Sequence, residues 1–465
     1  MRKKKLLSLL LLLPPLALAA QIGSVSKITG SSSHSLVAEW NQAYHIVFSQ
    51  SSLSSTHLYW IKKDSSLAYK IEMPPYLHMS DMKVKDDTLF FVGYHNNSRR
   101  GMWGFVALGD ITGSEVAVNS HTANTMAAGY LNEGIQGPTD PYSFVNFDKM
   151  EIVAGNTSRT QIVAIGERRR LLPGETALYD TKRCLFLLDP YDNPTFVYAR
   201  NEDLNEYYDD LAMVGDLLVC SFRKNRTTAS SITPYGYRIL TTPDSLFNSS
   251  QAGFAYSYTD DNSASAVLLA DLGGGDWATI HYGDKDGIGD KGITVGYAHA
   301  NTSLHPIAIE PRERHWIPCK LSAADKLRDA AFSPASASLM VLADITTPLF
   351  SAGHSVAFRF RPSQNSGYPC QTKAYVSGSN TLFALSPSGN QKMIACGKRS
   401  SNLLLIWDNI ATSTSCLQAD TIDATCQRQP DIGKHQATLS IATGTSSMQR
   451  HICTKTSATL TNLCH

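Results

Sequence analysis

No Cys-x-x-Cys pair occurs in this chain, and there is no Gly-x-Ser-x-Gly elbow, no His-Glu-x-x-His and no P-loop. Those absences remove the local basis for zinc or dithiol chemistry, nucleophile-elbow hydrolysis, zincin proteolysis and nucleotide hydrolysis. Repeated Asp-boxes of the sialidase type are missing as well. Charged residues are only 17 % of the 465, below the usual quarter, and Ser, Thr, Asn and Gly take their place. Helical periodicity is scarce: Leu321 to Arg328 alone reads as a helical turn or two. After the first twenty residues no segment is apolar enough to cross a bilayer.

Those first residues have the grammar of a secretory signal. Arg2, Lys3, Lys4 and Lys5 form a positive start, Leu6 to Leu13 an apolar stretch broken by Pro14-Pro15, and Ala17-Leu18-Ala19 a small-residue cleavage site. The expected mature chain begins at Ala20 or Gln21 and works in a secreted or periplasmic setting. Removing the signal lowers Lys plus Arg from 41 to 37 against 40 Asp plus Glu, a net of −3. No basic excess remains to attract nucleic acid.

What is present is one phrase, repeated. Ser80 to Leu108 reads as a hairpin and a third strand: Met82 and Val84 alternate with lysines, Asp86-Asp87 turns, and an apolar run from Leu89 to Val92 stops at Gly93. Together with six weaker copies it carries late apolar residues at Val47, Phe91, Val153, Val219, Leu269, Leu342 and Ala395, at intervals of 44, 62, 66, 50, 73 and 53 residues. Further short strands lie between them, among them Ile162–Ile165, Thr279–Tyr282 and Leu403–Trp407. A module of about four short strands recurring along the chain is the signature of a β-propeller. The expected fold is therefore all-β: a propeller of seven blades of short antiparallel strands over residues 36–409, after a polar lead-in at 21–35. The competing architecture is a pair of β-sandwiches.

Residues 410–465 shift in composition, lack aromatics and hold four of the nine cysteines, so they read as a poorly ordered tail or a small bridged appendage. Cys220 and Cys396 sit in apolar strands and read as buried free thiols.

The phrase DMKVKDDTLFFVG, Asp81 to Gly93, followed by GMWGFVAL, resembles the blade motif of uncharacterised secreted β-propeller-like proteins of the Bacteroidales type. The signal ending Ala19-Ala20-Gln21 is similar to theirs. The resemblance implies a propeller and an envelope location, and it implies no reaction and no catalytic residues.

Four stretches offer chemistry. In GDKDGIGDKG, Asp284, Asp286 and Asp290 stand in a Gly-rich loop resembling part of a calcium loop, although Tyr282 and Ile293 occupy its first and closing ligand positions. In NEDLNEYYDD, Asp209 and Asp210 lie beside Tyr207 and Tyr208; rings that stack on a sugar and acids that bind hydroxyls suit a glycan site. LGGGDWATIHYG places Trp277 and His281 near three glycines, in what reads as a hairpin turn. Arg168, Arg169 and Arg170 form a basic row that reads as an exposed loop.

With no local catalytic motif, the expected activity is binding or scaffolding at the envelope, with blade loops presented to a glycan or protein ligand. The alternatives are a carbohydrate-active enzyme, a hydrolase or lyase using carboxylates such as Asp209 or Asp210, and a purely structural envelope protein. No cofactor is expected beyond the partial calcium loop.

Overall fold

A computed structural model describes residues 24–28, 32–41, 43–63, 68–98, 100–109, 113–124, 144–154, 159–171, 178–201, 206–224, 233–240, 251–263, 265–284, 291–301, 308–321, 327–347, 350–360, 371–375, 380–388, 393–408 and 432–463. The signal segment lies outside them. β1 is Ser24–Ile28. Blade one is β2 (His34–Glu39), β3 (Tyr44–Gln50), β4 (Thr56–Lys62) and β5 (Ala68–Glu72). Blade two is β6 (Leu77–Lys85), β7 (Thr88–His95), β8 (Arg100–Ala107) and β9 (Glu115–Ala123). Blade three is β10 (Phe144–Ala154), β11 (Thr160–Leu171), β12 (Leu178–Leu188) and β13 (Thr195–Asn201). Blade four is β14 (Glu206–Val214), β15 (Leu217–Lys224), β16 (Thr233–Leu240) and β17 (Gln251–Ser263).

Blade five is β18 (Leu268–Gly273), β19 (Asp276–Asp284), β20 (Lys291–Asn301) and β21 (Ala308–Pro318). The short β22 (Lys320–Leu321) joins blade six, which is β23 (Leu327–Ser333), β24 (Ser338–Thr347), β25 (Phe350–Phe360) and β26 (Gln371–Tyr375). Blade seven is β27 (Asn380–Pro387), β28 (Met393–Arg399) and β29 (Asn402–Asp408), and its fourth strand is β1, from the other end of the chain.

The blades close a ring. The first strand of each lies against the first strand of the next, β2 to β6, β10, β14, β18, β23, β27 and back to β2. Two facing layers could not give that cyclic order, so the fold is the propeller and not the pair of sandwiches. Each of seven buried apolar clusters spans one seam between consecutive blades. Trp60 of blade one and Phe91 of blade two share a cluster, and Tyr237 of blade four meets Trp277 of blade five edge-to-face at 5.2 Å. A blade's faces are apolar on both sides, so only its neighbours can cover them, and each fully buried large side chain contributes roughly 1.5–3 kcal/mol of transfer free energy.

Two segments depart from expectation at the rim. The lead-in holds β1, which fastens the ring by pairing Ser24 with Trp407 through Ile28 with Leu403. The described part of the tail is strand: β30 (Ile432–Thr454), β31 (Thr456–Ala458) and β32 (Leu460–Asn462). It forms a belt. β30 pairs in turn with the outer strands β17, β13 and β9; β31 then pairs β5, and β32 pairs β1. One segment thus adds a fifth strand to blades four, three, two, one and seven. Cys416 and Cys426, half of the suggested bridged appendage, lie outside the described residues.

Smaller differences have local causes. Leu327 and Arg328 begin strand β23, so the helical turn expected at 321–328 is not there over its described residues. Val153 and Leu269 sit on first strands, β10 and β18, whereas the other five late apolar residues sit on second strands. Arg168 to Arg170 lie within strand β11, paired to β12, and not in a loop. The Asp86-Asp87 turn is present, with Asp86 at φ 53°.

Candidate functional site: the axial channel

The first strands carry a bulge at matching places. Register shifts fall between Met79 and Asp81, Phe147 and Lys149, Tyr208 and Asp210, Leu327 and Asp329, and Leu382 and Ala384. A bulge re-aims the residues beside it. Opposite it, in three blades, the second strand carries a glycine: Gly93, Gly166 and Gly397. A Cβ at Gly93 would lie 1.8 Å from the His78 carbonyl oxygen, and one at Gly397 would lie 2.0 Å from that of Thr381. The apolar run stops at Gly93 because only a residue without a side chain fits there.

Just after the bulge, three blades place an aspartate that does the same work. Asp81 Oδ1 accepts the Met82 N–H at 2.9 Å, and Oδ2 accepts the Met150 N–H of the next blade at 2.9 Å. Asp210 accepts Leu211 N–H at 2.9 Å and, in the next blade, Leu269 N–H at 2.9 Å. Asp329 accepts Ala330 N–H at 2.9 Å and Leu385 N–H at 2.9 Å. Blades two, four and six are thereby each clamped to the blade that follows. Equivalent partners at each clamp show that the first strands run the same way round the axis.

The bulged residues are tied down as well. Asp209 holds Arg223 by a two-pronged pair, Nε to Oδ2 at 2.5 Å and Nη2 to Oδ1 at 2.6 Å, and accepts Val267 N–H of blade five at 3.0 Å. Asp148 pairs with Arg183. Arg328 donates to Asp344 at 2.9 Å, and Asp344 accepts the Ser355 hydroxyl at 2.6 Å.

Lys149 occupies the blade-three position that the aspartates hold in blades two, four and six. Burial pulls its ammonium pKa down, but Asp210, Asp81 and Asp329 raise it further, and the net shift is upward. Burial pushes the Asp210 carboxyl up against the opposing pull of Lys149. Burial likewise pushes Asp329 up to about 6, with Lys149 the main opposing influence. Two residues further along the strands, Lys83 pairs with Glu151, and Asp271 lies within reach of their charges. A lone carboxylate in so buried a ring would be costly, and the lysines keep these anions from facing one another uncompensated.

At the end where the first strands begin, aromatic and basic groups gather. Arg183 lies over the Tyr207 ring at 4.5 Å and Arg223 at 5.4 Å. Across the axis Arg328 lies 5.7 Å over Phe383, and His34 stacks on His78 at 4.9 Å. The His34 Nε2–H donates to the Met79 carbonyl at 3.0 Å. Burial holds the His34 pKa down, and Arg328 and Lys149 add to that.

The residues singled out in the sequence are thus dispersed. Asp209 and Asp210 reach the axis, buried and fully engaged, and Tyr207 stands beside them. Tyr208 is a core residue at the seam of blades three and four. Trp277 and His281 are wholly buried in β19, away from the axis. Gly273, Gly274 and Gly275 make the expected hairpin turn, all at positive φ. Asp284 ends β19, while Asp286 and Asp290 lie outside the described residues. Among the described residues no group of three His, Cys, Asp or Glu is arranged to hold a metal ion.

Sequence reasoning missed Asp81, Lys149 and Asp329. A findable signal was present: Ser80-Asp81-Met82, Asp209-Asp210-Leu211 and Arg328-Asp329-Ala330 each set an aspartate before an apolar residue in the repeated phrase. Comparison with protein-family models gives no match, and comparison with curated proteins gives none either.

Proposed function

We propose that this protein is a secreted or periplasmic, envelope-associated binding or scaffold protein that offers the channel mouth and its blade loops to a glycan or protein ligand. One observation carries the reading. Asp81, Asp210 and Asp329 each accept two main-chain N–H groups, and Asp209 accepts an arginine and one main-chain N–H. Carboxylates held that way fix blades in place and are poorly placed to attack a substrate or shuttle its protons. The mouth then presents Tyr207 and Phe383, both partly exposed, beside arginines, a surface suited to stacking and hydrogen bonding. Among the described residues no helix is long and apolar enough to cross a membrane.

The alternative is a carbohydrate-active enzyme, and Asp329 favours it, because a carboxyl with a pKa of about 6 has the character of a general acid. The two readings separate in one experiment. The mature chain is applied to a glycan array beside a reducing-sugar release assay, with Tyr207→Ala and Asp329→Asn in parallel. Binding without release, weakened by Tyr207→Ala, supports the binding protein. Release abolished by Asp329→Asn overturns it in favour of the enzyme.

A further inference from the structure

The belt has two edges. Its inner edge is paired to the blades over 432–454. Among the described residues no strand pairs with its outer edge. A strand edge presents unpaired N–H and C=O groups at every second residue and is a template for another strand. Over 446–454, where β30 runs beside β9, its side chains face outward in part: Met448 is 43 % exposed and Ile452 56 %. Arg450, between them on the same face, is exposed too.

Beside this edge is a cavity of about 540 Å³, lined by His57, Lys70 and Glu72 of blade one, the Met73-Pro74-Pro75 turn, and His451 to Thr454 of the belt. It lies where the belt passes from blade two to blade one. An added strand would place alternate side chains on the belt's outer face and have a recess beside it for one of them. That pairing of ladder and recess is how strand-binding sites combine affinity with selectivity.

Charge selects the occupant. Over Ser446–Lys455 the belt carries Arg450, His451 and Lys455 and no Asp or Glu; Lys70 and Glu72 both line the cavity, and Glu115 of β9 pairs with Thr454 on the inner edge. The mature chain as a whole is net acidic at −3, so this positive stripe is local. A second copy of the chain, meeting belt to belt, would set like charges against each other.

We propose that the outer edge of the belt at Ser446–Thr454 is a docking site for an extended acidic polypeptide segment, which adds a strand to β30 and places one side chain in the adjoining cavity. This proposal is independent of any ligand at the channel mouth.

The test uses the mature full chain and three labelled strand peptides of about nine residues. One alternates Glu and Val, one alternates Lys and Val, and the third is the Glu–Val peptide with alternate amides N-methylated so that it cannot pair. Fluorescence anisotropy should show the Glu–Val peptide binding with a Kd of about 100 μM or tighter, and at least about tenfold more tightly than either other peptide. Arg450→Glu and Ile452→Glu alter exposed side chains that the fold does not need, and each should weaken the peptide by about fivefold or more. Failure of the Glu–Val peptide to bind overturns the proposal. So does equal binding of the N-methylated peptide, which would mean charge attraction without strand addition. A concentration-dependent dimer lost in Ile452→Glu would assign the edge to a second copy and overturn the acidic occupant.

Discussion

Asp210 of blade four accepts the main-chain N–H of Leu269 in blade five at 2.9 Å, and the same bond joins Asp81 to Met150 and Asp329 to Leu385. Three of the seven seams are therefore stitched at the axis by one device. Apolar packing between blades is broad and tolerant, whereas a carboxylate between two N–H groups has one satisfactory geometry. The clusters hold blades together, and the clamps fix how far each has rotated.

Removing a clamp leaves Leu211 N–H and Leu269 N–H without their acceptor in a buried setting. Asp210→Ala should lower stability by about 2 kcal/mol or more, since an unsatisfied buried donor costs about 1–3 kcal/mol. Asp216→Ala, at an exposed turn residue, should stay within about 0.5 kcal/mol of the parent. Urea unfolding of the two variants side by side checks this, and equal losses would show that the clamp contributes nothing of its own.

Lys149 is the positive centre of that ring. Lys149→Met leaves Asp81, Asp210 and Asp329 facing one another without their cation, which lifts the Asp210 and Asp329 carboxyls further. A carboxyl raised in the folded state binds its proton there while the unfolded chain has released it, so it destabilises the fold increasingly as pH rises above the unfolded value. The variant should therefore lose most against the parent at pH 7.5, by roughly 1–3 kcal/mol, and less at pH 5, where the carboxyls are protonated. A loss independent of pH would mean that Lys149 acts by packing alone.

Acid acts on the seams beside blade one. Burial holds His78, stacked on His34, and His45, bonded to Ser388 of blade seven at 3.0 Å, down to about 3. The unfolded chain protonates both near 6.5, so between about pH 4 and 6 it binds two protons that the folded chain refuses. Asp329, at about 6 when folded, runs the other way and offsets one of them. For these three groups the balance is roughly one proton, or about 1.4 kcal/mol of stability lost per pH unit on acidification; His34, also held down by burial, adds to the loss, and Asp210, also pushed up by burial, opposes it. His45→Gln with His78→Gln should abolish that slope or reverse it, read as the urea midpoint at pH 6 and pH 4.5.

How much of this stood in the sequence follows from where each signal is written. Leu89 to Val92, the Asp86-Asp87 turn and Gly93 are local, and that phrase with its six weaker copies was enough to announce seven blades. The copies at Val153 and Leu269 were misplaced by one strand because a buried first strand and a buried second strand are equally apolar. The ring of Asp81, Lys149, Asp210 and Asp329 gathers residues 248 positions apart, and no spacing rule brings them together before the blades close. The belt was invisible for another reason. Its Ser- and Thr-rich run forms a strand through main-chain pairing to edges already present, so it needs no apolar alternation of its own.

The belt is also where removal should tell most. A chain ending at Asp431 loses β30, β31 and β32, and with them the fifth strands on the edges of β17, β13, β9, β5 and β1. It also loses the Ser446 hydroxyl, which sits 3.1 Å from His121 Nδ1 and 3.1 Å from the Pro194 carbonyl, bridging blades two and three. A net main-chain hydrogen bond contributes about 0.5–1.5 kcal/mol, and the belt has nine paired positions against β9 alone. The shortened chain should lose at least about 4 kcal/mol and expose long strand edges that drive self-association. Hydrogen exchange gives the sharper reading. Outer-strand amides of β9 and β13 that face the belt should lose protection, while amides of the first strands β6 and β10, whose partners are untouched, should keep it until the whole ring opens. Uniform loss of protection across all blades would mean that the belt and ring unfold as one unit, and that the ring does not persist without it.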